Sequence, residues 1–163
     1  MKYALVTGGS RGIGRAVSVR LAKEGYHVIV NYVSNQEQAQ VTLDMIESAG
    51  GSGEMLRFDV GDRMQTTSAI EGWMQEHPDG YIEVLVNNAG IRRDNLLLWM
   101  EDNDWDSVLG TGLDGFFNVT RLLVKPMLVK RHGRIINMAS LSGLKGLPGQ
   151  CNYSAAKGGL IAA

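Results

Sequence analysis

Short β-branched runs alternate with stretches of helical period along the whole chain. Tyr3–Thr7 predicts a strand, followed by a glycine-rich turn and a helix over roughly Ile13–Glu24 with Ile13, Ala16, Val17 and Leu21 on one face. Gly25 stops that helix, and Tyr26–Tyr32 (YHVIVNY) predicts the second strand. Gln36–Ser48 has helical period through Ala39, Leu43 and Ile46, and Gly50-Gly51 ends it. Glu54–Phe58 predicts a third, weaker strand, and Arg63–Glu76 a helix closed by the turn His77-Pro78-Asp79-Gly80. Glu83–Asn87 and Arg134–Met138 predict the fourth and fifth strands, with one long helix over about Asn103–Arg131 between them. A last helix begins near Asn152 and runs into the chain end.

Alternating strands and helices with near-continuous apolar strands predict an α/β fold, a doubly wound parallel sheet with helices on both faces. Right-handed crossovers place strands two and three on one side of the first, and four and five on the other. Ligands in such sheets bind at the carboxyl ends of the strands, where the order reverses, here between strands one and four. Residues 1–163 read as a single domain without repeat, linker or low-complexity block. The ending Gly158–Ala163 is apolar, uncapped and still in helical register, so the chain reads as cut short after the fifth strand and the start of the next helix.

Composition sharpens this picture at one point. Glycine makes up 21 of the 163 residues, nearly double the usual share of ~7%, with only 3 prolines and no Gly-X-Y period. The glycines must therefore serve tight turns and close backbone approaches. Apolar residues at 44%, charged residues at 20% and a net charge of −1 describe a globular chain with no global field for nucleic acid or an anionic membrane. The single Cys151 excludes an internal disulfide, and His27, His77 and His132 form no metal-binding spacing, so no metal is expected. Uncharged runs fall short of the ~18 residues of a membrane span, and the first residues meet Gly8 too early for a signal peptide. A reducing, cytoplasmic setting is the expectation.

Two glycine patterns compete for a phosphate. Gly110-Thr111-Gly112-Leu113-Asp114-Gly115 is a literal G-x-G-x-x-G, but no buried strand precedes it and no acid stands ~20 residues on, so it reads as a decoy. Gly8, Gly9, Ser10, Arg11, Gly12, Ile13 and Gly14 leave the first strand and open the first helix, where backbone N–H groups can close on a pyrophosphate. The second strand ends in Asn31-Tyr32-Val33-Ser34, without the carboxylate a ribose 2′-hydroxyl would want, and Arg11 can pair with a 2′-phosphate. NADP(H) fits better than NAD. Asp59 and Val60 after the third strand, and Asn87, Asn88, Ala89 and Gly90 after the fourth, fall at the same carboxyl edge.

Tyr153 and Lys157 stand four apart at the start of the last helix and share a face. An ammonium beside a phenol favours the phenolate, making tyrosine a usable acid/base near neutrality. Ser140, just after the fifth strand, can donate to a carbonyl becoming alkoxide. Other features take plainer readings. Cys151 reads as a packed residue, and Trp73, Trp99 and Trp105 as packing or interface residues. Lys125, Lys130, Arg131, His132 and Arg134 either complement a helix dipole or dock an acidic carrier protein.

The order of these pieces resembles the short-chain dehydrogenase/reductase family, through TGGSRGIG at Thr7–Gly14, Asp59-Val60, NNAG at Asn87–Gly90, Ser140, and YSAAK at Tyr153–Lys157. Within it, Asn87–Leu97, Arg131–Ser140 and Gly149–Leu160 are similar to the 3-oxoacyl-(acyl-carrier-protein) reductases of fatty-acid synthesis, over roughly the first two-thirds of that Rossmann fold. The resemblance implies that Tyr153 protonates a carbonyl oxygen, that Lys157 holds the nicotinamide ribose and tunes Tyr153, and that Ser140 orients the substrate. It implies a cofactor lining from Gly8, Ser10, Arg11, Ile13, Asp59, Val60, Asn87, Ala89 and Gly90, an acyl thioester substrate on acyl carrier protein, and a homo-oligomer. An acetoacetyl-CoA or other ketone reductase, and a non-catalytic remnant, remain alternatives. Where that family has asparagine in the long helix, this chain has Gly112.

Overall fold

The three central strands of the sheet are mostly apolar and buried because both faces are covered there. The computed structural model describes residues 1–163. Strands β1 (Lys2–Val6), β2 (Tyr26–Tyr32), β3 (Ser52–Arg57), β4 (Ile82–Asn87) and β5 (Arg134–Asn137) pair in parallel, in the order β3-β2-β1-β4-β5. This is the predicted order, with its reversal between β1 and β4. Side chains alternate across the sheet with the two-residue period of a strand. Val6, Val28, Val30, Val84 and Val86 face helices α1 (Gly12–Lys23) and α2 (Gln36–Ser48), meeting Ala22, Ala39, Leu43 and Ile46. Leu5, Ile29 and Leu85 face α3 (Arg63–Glu76) and α5 (Gly115–Lys130), meeting Ile70, Trp73, Val119, Leu123 and Met127.

Helix starts show why these segments form and which one is different. Asn35 caps α2 by accepting from Gln38 N at 2.9 Å, and Asp62 caps α3 by accepting from Met64 N and Gln65 N at 2.9 and 3.0 Å. Arg11 precedes α1 with no side-chain cap and no acid in the first turn. The helix that leaves the central strand therefore keeps its N–H groups free.

Three segments depart from expectation. Strand β3 begins at Ser52, two residues early and ahead of the stronger residues, because Gly53 lets it lie against β2: a side chain there would stand 2.6 Å from Val28 O. The single long helix is α4 (Asp102–Leu109), a π-helical turn (Gly110–Asp114), and α5. Three glycines weaken the α-helical register there, and packing decides the local winding. A 3-10 turn (Leu97–Trp99) and a one-turn helix α6 (Ser142–Lys145) have no periodicity long enough to read. The last helix, α7 (Cys151–Ala162), packs on α6 and α4. Strand β5 lies at the sheet edge, with Ile135 and Ile136 partly exposed.

Candidate active site

Three backbone segments meet at the carboxyl end of β1. Gly8 has φ of 61°, and a side chain on it would lie 3.1 Å from Ala89 Cα. A side chain on Gly14 would lie 2.3 Å from Gly8 O, so the first turn of α1 sits directly on the turn that follows β1. Side-chain amides lock the arrangement. Gly8 N donates to Asn31 Oδ1 at 3.0 Å, while Asn31 Nδ2 donates to Phe58 O at 2.9 Å. Asn88 Nδ2 donates to Thr7 O at 2.9 Å, and Thr7 Oγ1 accepts from the amides of Asn88 and Ala89, both at 3.0 Å. The amides of Gly12, Ile13 and Gly14 have no acceptor within the chain. Gly12, at φ 54°, has no heavy atom within 4 Å of where a side chain would start. Free N–H groups, a positive helix end and open space in front of them fit a dinucleotide pyrophosphate.

A crevice of about 760 Å³ runs from this turn. Of the expected residues, Gly8, Ser10, Arg11, Gly12, Ile13, Gly14, Asp59, Val60, Ala89 and Gly90 line it. Gly9, Asn87, Tyr153 and Lys157 do not. Gly9 faces inward against Val30 and Ser18, and the buried Asn87 amide donates to Thr120 Oγ1 and Asn137 Oδ1 at 3.1 and 2.9 Å. Gly9 and Asn87 both point into the packing, and the crevice lies beyond it. Asn31 and Asn88, read from the sequence at the carboxyl edge, also line the crevice, and their hydrogen bonds span the sheet and follow only from topology. Ser107 and Thr111 line it with no sequence signal. Arg11 is exposed at the crevice rim, whereas Arg15 is tied to Ser10 O, Gln38 Oε1 and Thr42 Oγ1 at 2.6, 2.7 and 3.0 Å. Arg11 is thus the free guanidinium of this turn.

Beyond Gly90 stand the residues of α7 and the end of β5. Lys157 is buried, and its Nζ donates to Met138 O at 2.6 Å. Burial pushes its pKa below the ordinary lysine value, and no carboxylate is paired with it. Its ammonium lies 5.8 Å from the Tyr153 ring centre, and the Arg92 guanidinium lies 5.7 Å from the same ring. A side chain on Gly90 would start 3.7 Å from Lys157 Nζ, so the lysine adjoins Gly90, which lines the crevice. Ser140 is half-buried, and its Oγ accepts from Ser142 N at 3.2 Å. No hydrogen bond joins the Tyr153 hydroxyl to Ser140 or Lys157.

The second glycine pattern has another use. A side chain on Gly115 would come 2.7 Å from Val60 Cγ2, and one on the buried Gly112 would come 3.3 Å from Ala156 Cβ. These glycines let the π turn approach the end of β3 and helix α7. Trp73 is a core residue, donating to Glu54 Oε1 at 2.6 Å, whereas Trp99 is 63% exposed. Cys151 Sγ rests 3.7 Å from Met100 Sδ, and Arg131 ends α5 in the left-handed conformation.

The family model described as short chain dehydrogenase matches residues 2–163. The chain belongs to the short-chain dehydrogenase family. Among curated relatives in it, the chain is 44% identical over 160 residues to a 3-oxoacyl-(acyl-carrier-protein) reductase of Staphylococcus aureus, covering 98% of this chain and 64% of the relative. Relatives with the same description from Staphylococcus epidermidis and Aggregatibacter actinomycetemcomitans are 42% identical, over 98% of this chain and 65% of their own length. The chain thus spans just under two-thirds of the length of the relatives it matches. No helix is long and apolar enough to cross a membrane.

Proposed function

We propose that the chain is the cofactor- and carbonyl-binding part of an NADPH-dependent reductase that converts a 3-oxoacyl thioester, carried on acyl carrier protein, to the 3-hydroxyacyl thioester. The carrying observation is the approach of Gly90 to Lys157, which sets the Tyr153–Lys157 face beside the crevice that opens from the pyrophosphate turn. NADPH, when bound, supplies the hydride. The chain's own residues do the rest. The unpaired N–H groups of Gly12, Ile13 and Gly14 hold the pyrophosphate, and Arg11 pairs with the 2′-phosphate. The Tyr153 hydroxyl gives its proton to the substrate carbonyl oxygen, and Ser140 donates a hydrogen bond to the same oxygen. Lys157, fixed by Met138 O, holds the nicotinamide ribose and favours the Tyr153 phenolate left behind.

The same reading includes self-association of copies through the helix pair α4–α5, where Trp105 and Phe117 stand exposed, and a cytoplasmic site of action. The test is consumption of NADPH with acetoacetyl thioesters of acyl carrier protein and of coenzyme A. Turnover on the carrier-protein thioester, lost in Tyr153→Phe, is expected. Titration by intrinsic fluorescence should give tighter binding of NADPH than of NADH, with the gap closing in Arg11→Ala. Absence of turnover with either thioester, or a preference for NADH, overturns the reading.

A further inference from the structure

Ser140 is the end of a hydrogen-bonded chain that runs away from the crevice. Its Oγ accepts from Ser142 N at 3.2 Å and donates to Ser142 Oγ at 3.3 Å. Ser142 Oγ donates to Gln150 Oε1 at 3.0 Å, and Gln150 Nε2 donates to Asp94 Oδ2 at 3.0 Å. Asp94 also accepts from the Arg92 guanidinium, which holds its carboxyl below the usual carboxylate range. Ser142 and Gln150 are 5% and 8% exposed, so water does not compete for the bond between them. The segment carrying Asp94 is joined to the start of α7 by a parallel bridge between Asn95 and Gln150 and by Asn95 N donating to Gly149 O at 2.9 Å.

The direction of every bond follows from one charge. A carboxylate only accepts, so Asp94 fixes the amide of Gln150 with its nitrogen outward and its oxygen toward Ser142. That oxygen also only accepts, so the single proton of Ser142 is committed to it. Ser142 Oγ can then offer Ser140 nothing but a lone pair. Ser140 Oγ consequently takes one donor, the Ser142 amide, and keeps its second lone pair and its proton available. The proton is directed at Ser142 Oγ across an oxygen–oxygen distance of 3.3 Å, a long contact that a carbonyl oxygen displaces at little cost.

We infer that Gln150, anchored on Asp94, is a positioning residue for Ser140: it sets the direction of the Ser142 hydroxyl and so seats the Ser140 oxygen with its proton free for the substrate. This rests on the reductase reading above. The charged and titratable groups on the elements packed around Gln150 are Arg92, Arg93 and Asp94 before it, Asp102, Asp104 and Asp106 on α4, Lys145 on α6, and Cys151, Tyr153 and Lys157 on α7, and Asp94 is the one bonded to it.

The test uses Gln150→Glu and Gln150→Met in the full chain. In Gln150→Glu the introduced carboxyl, when protonated, donates to Asp94 and accepts from Ser142 as the glutamine amide does. Once ionised, it repels Asp94 and breaks the chain of bonds. The first readout needs no substrate: the amide resonance of Ser142 against pH in isotope-labelled protein. It should stay flat across neutral pH in the wild type, move in one step in Gln150→Glu, and be displaced at every pH in Gln150→Met. The second is turnover with an acetoacetyl thioester. Gln150→Met should lose on the order of tenfold in kcat, less than the ~10²-fold of a misplaced reacting group, with KM for thioester and NADPH within about twofold. Gln150→Glu should recover wild-type kcat as pH falls. A Ser142 resonance indifferent to both variants overturns the inference. So does a change confined to the thioester KM, which would make Gln150 a substrate contact. If the wild type turns over neither thioester, the reductase reading fails while the Ser142 resonance still decides the positioning role. Should Gln150→Met not fold, Asp94→Ala, at the exposed end of the chain, is expected to shift the same resonance.

Discussion

Lys157 Nζ donates to the Met138 carbonyl at 2.6 Å, tying helix α7 to the residue that follows β5. The bond fixes the ammonium but leaves it buried without a carboxylate, and burial lowers its pKa. In the window between that lowered value and the ordinary lysine value, the unfolded chain binds the proton that the folded one has released, so stability rises with pH there. Below the window the desolvation cost is present in full. Lys157→Met removes the charge and leaves Met138 O without its donor. The stability of the wild type relative to Lys157→Met should therefore rise as pH is raised through the window. Thermal melts of both proteins from neutral to alkaline pH check it, and a constant difference would refute the burial argument.

Asn31 joins the glycine-rich turn to the end of β3, accepting from Gly8 N and donating to Phe58 O. Asn31→Leu leaves one donor and one acceptor unpaired, at about 1–3 kcal/mol each where no water replaces the amide. Asn31→Asp keeps the acceptor but sets a carboxylate against the Phe58 carbonyl, and should be at least as destabilising at neutral pH. Urea denaturation should show both variants well below the wild type in midpoint with an unchanged slope.

Gly12 and Gly14 stand two residues apart and should fail in different ways. A methyl at Gly14 collides with Gly8 O, so Gly14→Ala should lose about 1–3 kcal/mol of stability and dinucleotide binding together. At Gly12 the space is open and only the positive φ opposes a side chain, at a cost of roughly 1–2 kcal/mol. Gly12→Ala should stay folded and still bind NADPH poorly, because its methyl occupies the space before the free N–H groups. Parallel melting and NADPH titration separate the two, and equal affinity of Gly12→Ala and wild type would remove the pyrophosphate from this turn.

Gly112→Asn would restore the residue that the family resemblance implies, yet Gly112 is buried with Ala156 Cβ 3.3 Å from any side chain added there. Residue 156 adjoins Lys157, so an asparagine must push α7 at the reactive face. The expected outcome is a loss of about 1–3 kcal/mol in stability and no gain in turnover, whereas Gly112→Ala should cost little. Higher kcat in Gly112→Asn would show that α7 yields and that the side chain is useful there.

Local pattern carried much of the fold. Helices α2 and α3 and strand β2 coincide with their predicted bounds, because a three-to-four-residue apolar period, an Asn or Asp cap and a closing glycine or turn act within a few residues of each other. Strand order also followed, since parallel strands joined by right-handed crossovers leave few choices. Local pattern and crossover handedness together therefore suffice for the doubly wound sheet and for the segments that meet at its carboxyl edge. Tertiary structure alone decided how those segments touch. Gly9 and Asn87 turn into the packing while Asn31 and Asn88 hold the turn from across the sheet. The long helix is broken by a π turn because Val60 and Ala156, distant in the chain, lie against its glycines. The bonds from Ser140 through Ser142 and Gln150 to Asp94 join residues up to 56 positions apart, and nothing periodic marks them. Hydrophobic period is a property of neighbours along the chain, whereas the direction of a buried hydrogen bond is set by whichever acceptor the folded packing brings to it.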